Sequence, residues 1–478
     1  LPTILNPALP RNWEYSGPVG EVTHDRDPPQ APGGGGVPPK PTDSDPKLGP
    51  APPGGDSNGE VPIHRVGEIT TVETSGETAA SLRTTALDTE ASTETVLATK
   101  ISALATLQPA FYSNSIANVT AAFDARFHVA KDPKVSKSAQ NQLSRAVGEL
   151  ANKLITKQSV LDAVGSDTIE DFISSKWTSS RFANTMKELN QFGLSASSFN
   201  LLIKNEPMNR TKAPRIIINH GDARQIADVA IIGTLERIIF HRYPESCIKH
   251  RPKAEAVDAV VEELLRLKSM EGHQPFTLEG DGSAWDATMS LTLRNCIENV
   301  FVKRMVIIFR ELKLLDNLTD EQWVKARMEE RTRRTAQNAI PVKGAKPRFR
   351  GKCRRESGDR GTSILNYLCN AVLWSWLLSG KKKEAFLESW AGEKSIAGPT
   401  FRLACEGDDS LVVANISNLK VFEEMALKFF TEWGLRMKLV THGTESCATF
   451  VGCNILVKDG LPVRNTAVPE VLRAFKNG

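Results

Sequence analysis

The sequence predicts an α+β fold preceded by a long segment with no core of its own. Three observations predict it. From about residue 100 onward, apolar stretches at helical spacing interleave with short β-branched runs, without the regular strand–helix–strand spacing of a parallel α/β sheet. Apolar residues make up 40% of the 478 and charged residues 24%, enough to bury a sizeable core. Residues 1–62, by contrast, hold 15 Pro and 10 Gly. Such a stretch cannot bury enough apolar surface to offset its ordering entropy. Residues 1–100 are therefore read as a disordered linker, Pro/Gly-rich and then Thr/Ser-rich, serving as a passive spacer or as a docking or processing segment.

The elements follow in order. Leu143, Val147, Leu150 and Leu154 lie at helical spacing and predict a helix over 137–165. Residues 204–219 mix Lys, Arg and Pro and end in Arg215-Ile216-Ile217-Ile218, a short strand. An amphipathic helix is predicted over 254–267. A strand from Pro275 ends on Asp281, and a helix runs from about Ala287 to Leu314. Residues 362–378 form an apolar helix. Two apolar runs flank Gly407-Asp408-Asp409 and predict a hairpin over 401–414. A helix over 419–433 and two short strands close the chain.

Composition narrows the function. The seven Cys (247, 296, 353, 369, 405, 447, 453) contain no C-x-x-C pair, which argues against a disulfide-stapled secreted fold and a zinc ribbon and for an intracellular chain. No apolar run reaches the roughly 18–20 residues that span a bilayer. The chain starts at Leu1 rather than Met, so it is expected to be a piece of something larger. Its net charge of +4 is uneven. Residues 1–100 hold 7 basic and 14 acidic side chains, so the body behind them is strongly basic. That suits a polyanionic partner. Ten of the 25 residues from Arg331 to Arg355 are Lys or Arg: a phosphate-tracking surface or a solvated basic loop.

Three short motifs carry the chemistry. Glu406, Asp408 and Asp409 crowd a hairpin between buried-looking strands, where their repulsion is relieved by a divalent cation. Alone, this could be a solvated turn. Asp281 ends a strand and Asp286 opens a helix, so one acid can face a metal while the other caps the helix or reaches a ligand. Alone, this could be a capping loop. Ser357-Gly358-Asp359-Arg360-Gly361 is a Gly loop running into a helix on which Thr362 and Asn366 share a face. These two suit recognition of a sugar hydroxyl, or the loop is simply a capped helix start.

Together and in this order, D-x4-D at 281–286, SG-x3-T-x3-N at 357–366 and GDD at 407–409 resemble palm motifs A, B and C of viral RNA-dependent RNA polymerases. The nearest in style are the tombusvirus- and nodavirus-like groups of positive-strand RNA viruses. Lys204-x-Glu206, Arg210, Lys212 and Pro214-Arg215-Ile216 look like motif F, Gly434 to Lys438 like motif D, and Phe450-Val451-Gly452-Cys453 falls at the motif E position. The resemblance covers about residues 200–460.

It implies a right-hand polymerase. Residues 101–270 would be fingers including motif F, 271–300 palm motif A, and 301–350 a basic fingers insertion. Residues 351–445 would carry palm motifs B, C and D, and 446–478 motif E and the start of a truncated thumb. The implied activity is RNA-directed RNA synthesis, replicating a viral genome by two-metal nucleotidyl transfer from NTPs. Asp281 and Asp408, supported by Asp409, would hold two Mg²⁺ ions, or Mn²⁺, about 4 Å apart. Lys438, with Arg436 competing, would sit near the leaving pyrophosphate. Asp286, Thr362 and Asn366 would read the ribose 2′-OH, with Ser357 and Gly358 in the nucleotide-binding loop. Lys204, Arg210, Lys212 and Arg215 would meet the triphosphate. The implied partners are RNA template and product, NTPs and other viral replication proteins. Through those proteins the chain would join a membrane-associated complex in the host cytoplasm. A reverse transcriptase, which would prefer dNTPs, and a non-catalytic RNA-binding scaffold, whose binding would survive loss of Asp408, are the alternatives.

Overall fold

A computed structural model describes residues 132–165, 177–192, 213–219, 221–252, 275–314 and 354–442 almost without interruption, with shorter segments between residues 70 and 466. All of them belong to a unit spanning Val61–Gly478. Helices and mostly antiparallel sheets alternate in it, so the class is α+β.

The central sheet has five strands: β1 (Pro275–Gly282), β2 (Ile396–Gly398), β3 (Phe401–Glu406), β4 (Asp409–Asn415) and β5 (Met437–His442). Their order is β2-β3-β4-β1-β5, with every neighbour antiparallel. β3 and β4 form the hairpin expected around Gly407-Asp408, with Glu406 opposite Asp409. Gly407 has φ +61, a left-handed turn geometry that glycine adopts without strain.

The main helices are α1 (Ile116–Phe127), α2 (Lys137–Leu154), α3 (Asp222–Arg242), α4 (Glu298–Glu311), α5 (Thr362–Leu378) and α6 (Leu419–Glu432). α5 occupies the span its sequence predicts. Every residue from Ile364 to Leu377 is buried, as expected for a helix that is apolar all round. One of its ties to the sheet is a hydroxyl: Trp374 Nε1 donates to Ser410 Oγ at 2.8 Å, and Ser410 Oγ donates to the Gly280 carbonyl at 3.2 Å. α2, α4 and α5 contribute to one continuous apolar core.

Several expectations change. The single helix over 137–165 is two, because Thr156 and Ser159 form a capping box that starts a new helix, Lys157–Val164. The helix over 287–314 is likewise split into Trp285–Thr288, Leu291–Cys296 and α4, and the Ser290 hydroxyl caps the middle piece. After β5 come three more strands, Ala448–Phe450, Cys453–Lys458 and Leu461–Thr466, which form their own sheet. Most of 254–267, and residues 1–69, lie outside the described residues.

The Thr/Ser-rich part of the expected linker contains strands. Thr70–Thr74 pairs with Glu77–Leu82, and Ser81 of that hairpin pairs with Arg348. Thr93–Thr95 pairs with Pro109–Tyr112. β-branched Thr and Val suit extended pairing even where no apolar alternation advertises a strand. No described helix is long and apolar enough to cross a membrane.

Two glycines make opposite predictions. A β-carbon on Gly148, inside α2, meets nothing within 4 Å. One on Gly280 would overlap the Ser410 hydroxyl and crowd Trp374 and Met437. Gly148→Ala should raise the unfolding midpoint by the equivalent of about 0.5–1 kcal/mol. Gly280→Ala should lower it by about 1–3 kcal/mol. Thermal melts of both variants check the pair, and a destabilised Gly148→Ala would mean that α2 packs differently.

Candidate functional site

The acidic residues meet at one end of the five-stranded sheet. Ser410 on β4 pairs with Gly280 on β1, so the next positions outward are Asp409 and Asp281. Asp408 occupies the turn just beyond. On the other side of β1, Lys438 pairs with Asp281, and its Nζ lies 3.4 Å from Asp281 Oδ2 with both side chains largely exposed. Arg436 instead uses its carbonyl to accept the Ser283 N–H at 2.8 Å.

Asp286 reaches the same end through a tight loop. Ala284 takes the left-handed conformation, φ 51, and a β-carbon on Gly282 would overlap the Trp285 ring. Trp285 is buried beneath, which fixes the start of the helix bearing Asp286. Burial, reinforced by the charges of Asp286 and Asp281, pushes the Asp408 carboxyl up to about 6, against the opposing pull of its own backbone N–H and of Arg215. Asp408 therefore senses both of the other acids. The hairpin turn is held from α5, where Asn370 Nδ2 donates to the carbonyls of Gly407 (3.2 Å) and Asp409 (3.3 Å). Sequence reasoning passed over Asn370, although it stands one helical turn after Asn366.

The three residues read as sugar-facing separate on inspection. Asn366 Nδ2 donates to Asp286 Oδ1 at 3.1 Å, so these two do meet. Ser357 Oγ donates to Asp286 Oδ2 in a short contact. Thr362 turns its hydroxyl proton into the preceding loop, toward the carbonyls of Asp359 (2.9 Å) and Glu356 (3.1 Å). It braces the loop rather than joining the Asp286 cluster. A residue the sequence did not suggest, Arg126 on α1, completes that cluster. Its Nη1 lies 3.3 Å from Asp286 Oδ2 and also donates to Ser357 Oγ. Burial lowers the Arg126 pKa, with Asp286 opposing.

Gly358 is required where it stands. Its φ is +110, and a β-carbon there would overlap the Ile218 carbonyl oxygen. The adjacent Ile218 N–H donates to the Ser357 carbonyl at 2.7 Å. The strand Ile216–Asn219 is thereby stitched to the Ser-Gly loop, and Arg215 stands at its start, exposed and close enough to influence Asp408. The Lys204 N–H donates to the Arg215 carbonyl at 2.8 Å, which sets the two basic residues side by side at the ends of neighbouring strands. The side chains of Glu206, Arg210 and Lys212 lie outside the described residues. At the motif E position, Phe450 pairs with Cys453 around Val451 at φ 49.

Of the basic run 331–355, only Arg354 and Arg355 have described side chains, and both are buried. This corrects the phosphate-tracking expectation for these two. Arg354 pairs with Asp132 at 2.8 Å. Arg355 pairs with Glu298 at 2.6 Å, and its Nε donates to Asn366 Oδ1 at 2.9 Å. Burial, and then the like charge of Arg294, push the Arg355 guanidinium down to about 10, so it stays charged at neutral pH.

The carboxylates of Asp281, Asp408 and Asp409 offer hard, anionic oxygens at the mouth of a hairpin. Their chemistry fits Mg²⁺ or Mn²⁺ better than a softer metal. Among the described residues, no three Asp, Glu, His or Cys side chains stand close enough together to hold an ion as placed, and Asp281 leans toward Lys438. An ion would take over the charge-balancing role of that ammonium. Neither a family model nor a curated protein sequence matches this chain.

Proposed function

We propose that the chain is an RNA-directed RNA polymerase that joins NTPs on an RNA template. The observation that carries this reading is the meeting of Asp281, Asp286 and Asp408 from two distant segments at one end of a single antiparallel sheet, with the Ser357–Asn366 loop and helix against them. In this reading the five-stranded sheet is the palm of a right hand, and the segments around Ile216–Asn219 belong to the fingers.

Asp281 and Asp408, with Asp409 beside them, would hold divalent cations, which when bound activate the attacking 3′-hydroxyl and neutralise charge on the leaving phosphates. The chain's own groups do the rest. Arg215 and Lys204 bind triphosphate oxygens. Lys438 offers a proton donor near the departing pyrophosphate. Asp286, steadied by Arg126, Ser357 and Asn366, accepts a hydrogen bond from the ribose. Other viral replication proteins and host membranes are its expected neighbours.

Asp408 gives a two-sided test. A carboxyl whose folded-state pKa is raised disfavours folding while it is ionised. That penalty is present above about pH 6 and fades as pH falls from 6 toward the ordinary 3.8. Asp408→Asn should therefore raise the unfolding midpoint at pH 7.5 by the equivalent of about 1–3 kcal/mol, and by little near pH 4. The same substitution should reduce template-dependent incorporation of labelled NTP, with Mg²⁺ or Mn²⁺, below a few per cent of wild type. A stable variant that still incorporates nucleotide would remove Asp408 from the chemistry.

Sugar selection tests the reading from another side. The ratio of kcat/KM for an NTP over its dNTP should favour the NTP strongly, and Asn366→Ala should reduce that ratio about tenfold. A wild-type preference for dNTPs would point to a reverse transcriptase instead.

A further inference from the structure

Behind the Asp286–Asn366 pair lies an ionic network almost closed to solvent. The Glu298 and Arg355 side chains are both 0% exposed. Arg355 Nη2 donates to Glu298 Oε2 at 2.6 Å, and Arg294 Nε lies 3.4 Å from Glu298 Oε1. On its other side, Arg355 Nε donates to Asn366 Oδ1 at 2.9 Å, and its backbone N–H donates to the Asp286 carbonyl at 3.1 Å.

A buried Arg–Glu–Arg cluster is a poor way to gain stability, because well-packed apolar side chains commonly do as well or better. This one even leaves Arg355 Nη1 without a hydrogen-bond partner among the described residues. What the network supplies is direction. A guanidinium only donates and a carboxylate only accepts. An asparagine amide placed between the two has a single satisfactory orientation, oxygen toward Arg355 and nitrogen toward Asp286. Without Arg355, its oxygen loses a charged donor and the amide is free to rotate.

We infer that Arg355, anchored by Glu298, is a positioning residue for sugar selection. It fixes the Asn366 amide so that the Asp286–Asn366 pair presents a carboxylate acceptor beside an N–H donor to a 2′-hydroxyl, which can both donate and accept. The inference rests on the polymerase reading above. It assigns discrimination between ribose and deoxyribose to residues that touch neither sugar nor metal.

Removing Arg355 alone would leave Glu298 leaning on the longer Arg294 contact and threaten folding. The test is therefore the paired variant Glu298→Gln with Arg355→Met, which removes both charges, roughly keeps volume and leaves an amide oxygen for Arg294. Arg355→Lys serves as a second variant, retaining the charge opposite Glu298 but without a planar fork to serve Glu298 and Asn366 together. Melting curves report folding, and kcat and KM are measured for an NTP and its dNTP.

The paired variant should stay folded with a lowered melting point, Arg294 keeping the Arg354 carbonyl and the new amide oxygen, and lose about tenfold in NTP-over-dNTP selection, as much as Asn366→Ala. Adding Asn366→Ala to it should cost no further selection, since both changes break one chain. Arg355→Lys should fall between. Unchanged selection in a folded, active variant, or losses that multiply independently, would overturn the inference while leaving the polymerase reading intact. A wild-type protein that binds RNA but incorporates no nucleotide with either metal would overturn both.

Discussion

The hydrogen bond from the Trp374 indole to the Ser410 hydroxyl holds the candidate site in register. Ser410 lies on β4 and passes the bond on to the Gly280 carbonyl on β1. One short polar chain thus fixes the buried helix α5 against the two strands whose ends carry Asp409 and Asp281. Other side chains on the same helix reach the site as well. One turn up from Trp374, Asn370 reaches the carbonyls flanking Asp408, and one turn further Asn366 reaches Asp286. The absence of a side chain at Gly280 is what allows the Ser410 hydroxyl to come so close. A shift of α5 along the sheet would break all of these bonds together.

That arrangement gathers like charges, and the structure answers with cations from every side. Arg126 comes from α1, Arg215 from the start of an outer strand and Lys438 from β5. None of them neutralises Asp408 fully, and its carboxyl remains raised by burial and by its neighbours. In the polymerase reading proposed above, a divalent cation would relieve this repulsion, since ligands that repel one another are the ones a metal stabilises most. In that reading, stability and binding would pull in opposite directions at this residue. The electrostatic tension is sustained by the extensive apolar burial of α5 and the strands beneath it.

How much of this was legible in the sequence depended on distance along the chain. The hairpin at 401–414, the apolar helix at 362–378 and the offset of Asp286 from Asp281 are local patterns, and the structure has them where the pattern placed them. The break at Thr156 was also local, a Thr-x-x-Ser signal outvoted by the apolar periodicity running through it. The strands at 70–82 were hidden because Thr-rich segments satisfy their backbones by pairing and advertise no buried face. Thr362 and Asn366 were correctly put on one helix, but only the structure shows that the first serves the loop and the second Asp286. Arg126 could not be read at all. It meets Asp286 across 160 residues, and nothing in its own helix marks it out.

The burial of Arg354 and Arg355 exposes a specific weakness of charge counting. A run of basic residues reads the same whether it faces phosphate or the interior, because composition records the charge and not its partner. The partner, however, did leave a trace. In α4, Phe301, Val302, Met305, Val306, Ile308 and Phe309 are all buried, and Glu298 sits one turn ahead of Phe301 and Val302, in line with that apolar stripe. A carboxylate at the head of a buried stripe is almost never left there alone, since an unpaired buried charge is strongly disfavoured. Its presence demands a cation delivered from elsewhere in the chain, and the basic run is the richest source. Pairing a misplaced acid on an apolar helix face with an unexplained basic cluster would have drawn at least one arginine out of the supposed RNA-binding surface. It would also have placed that arginine next to the helix that carries Asn366.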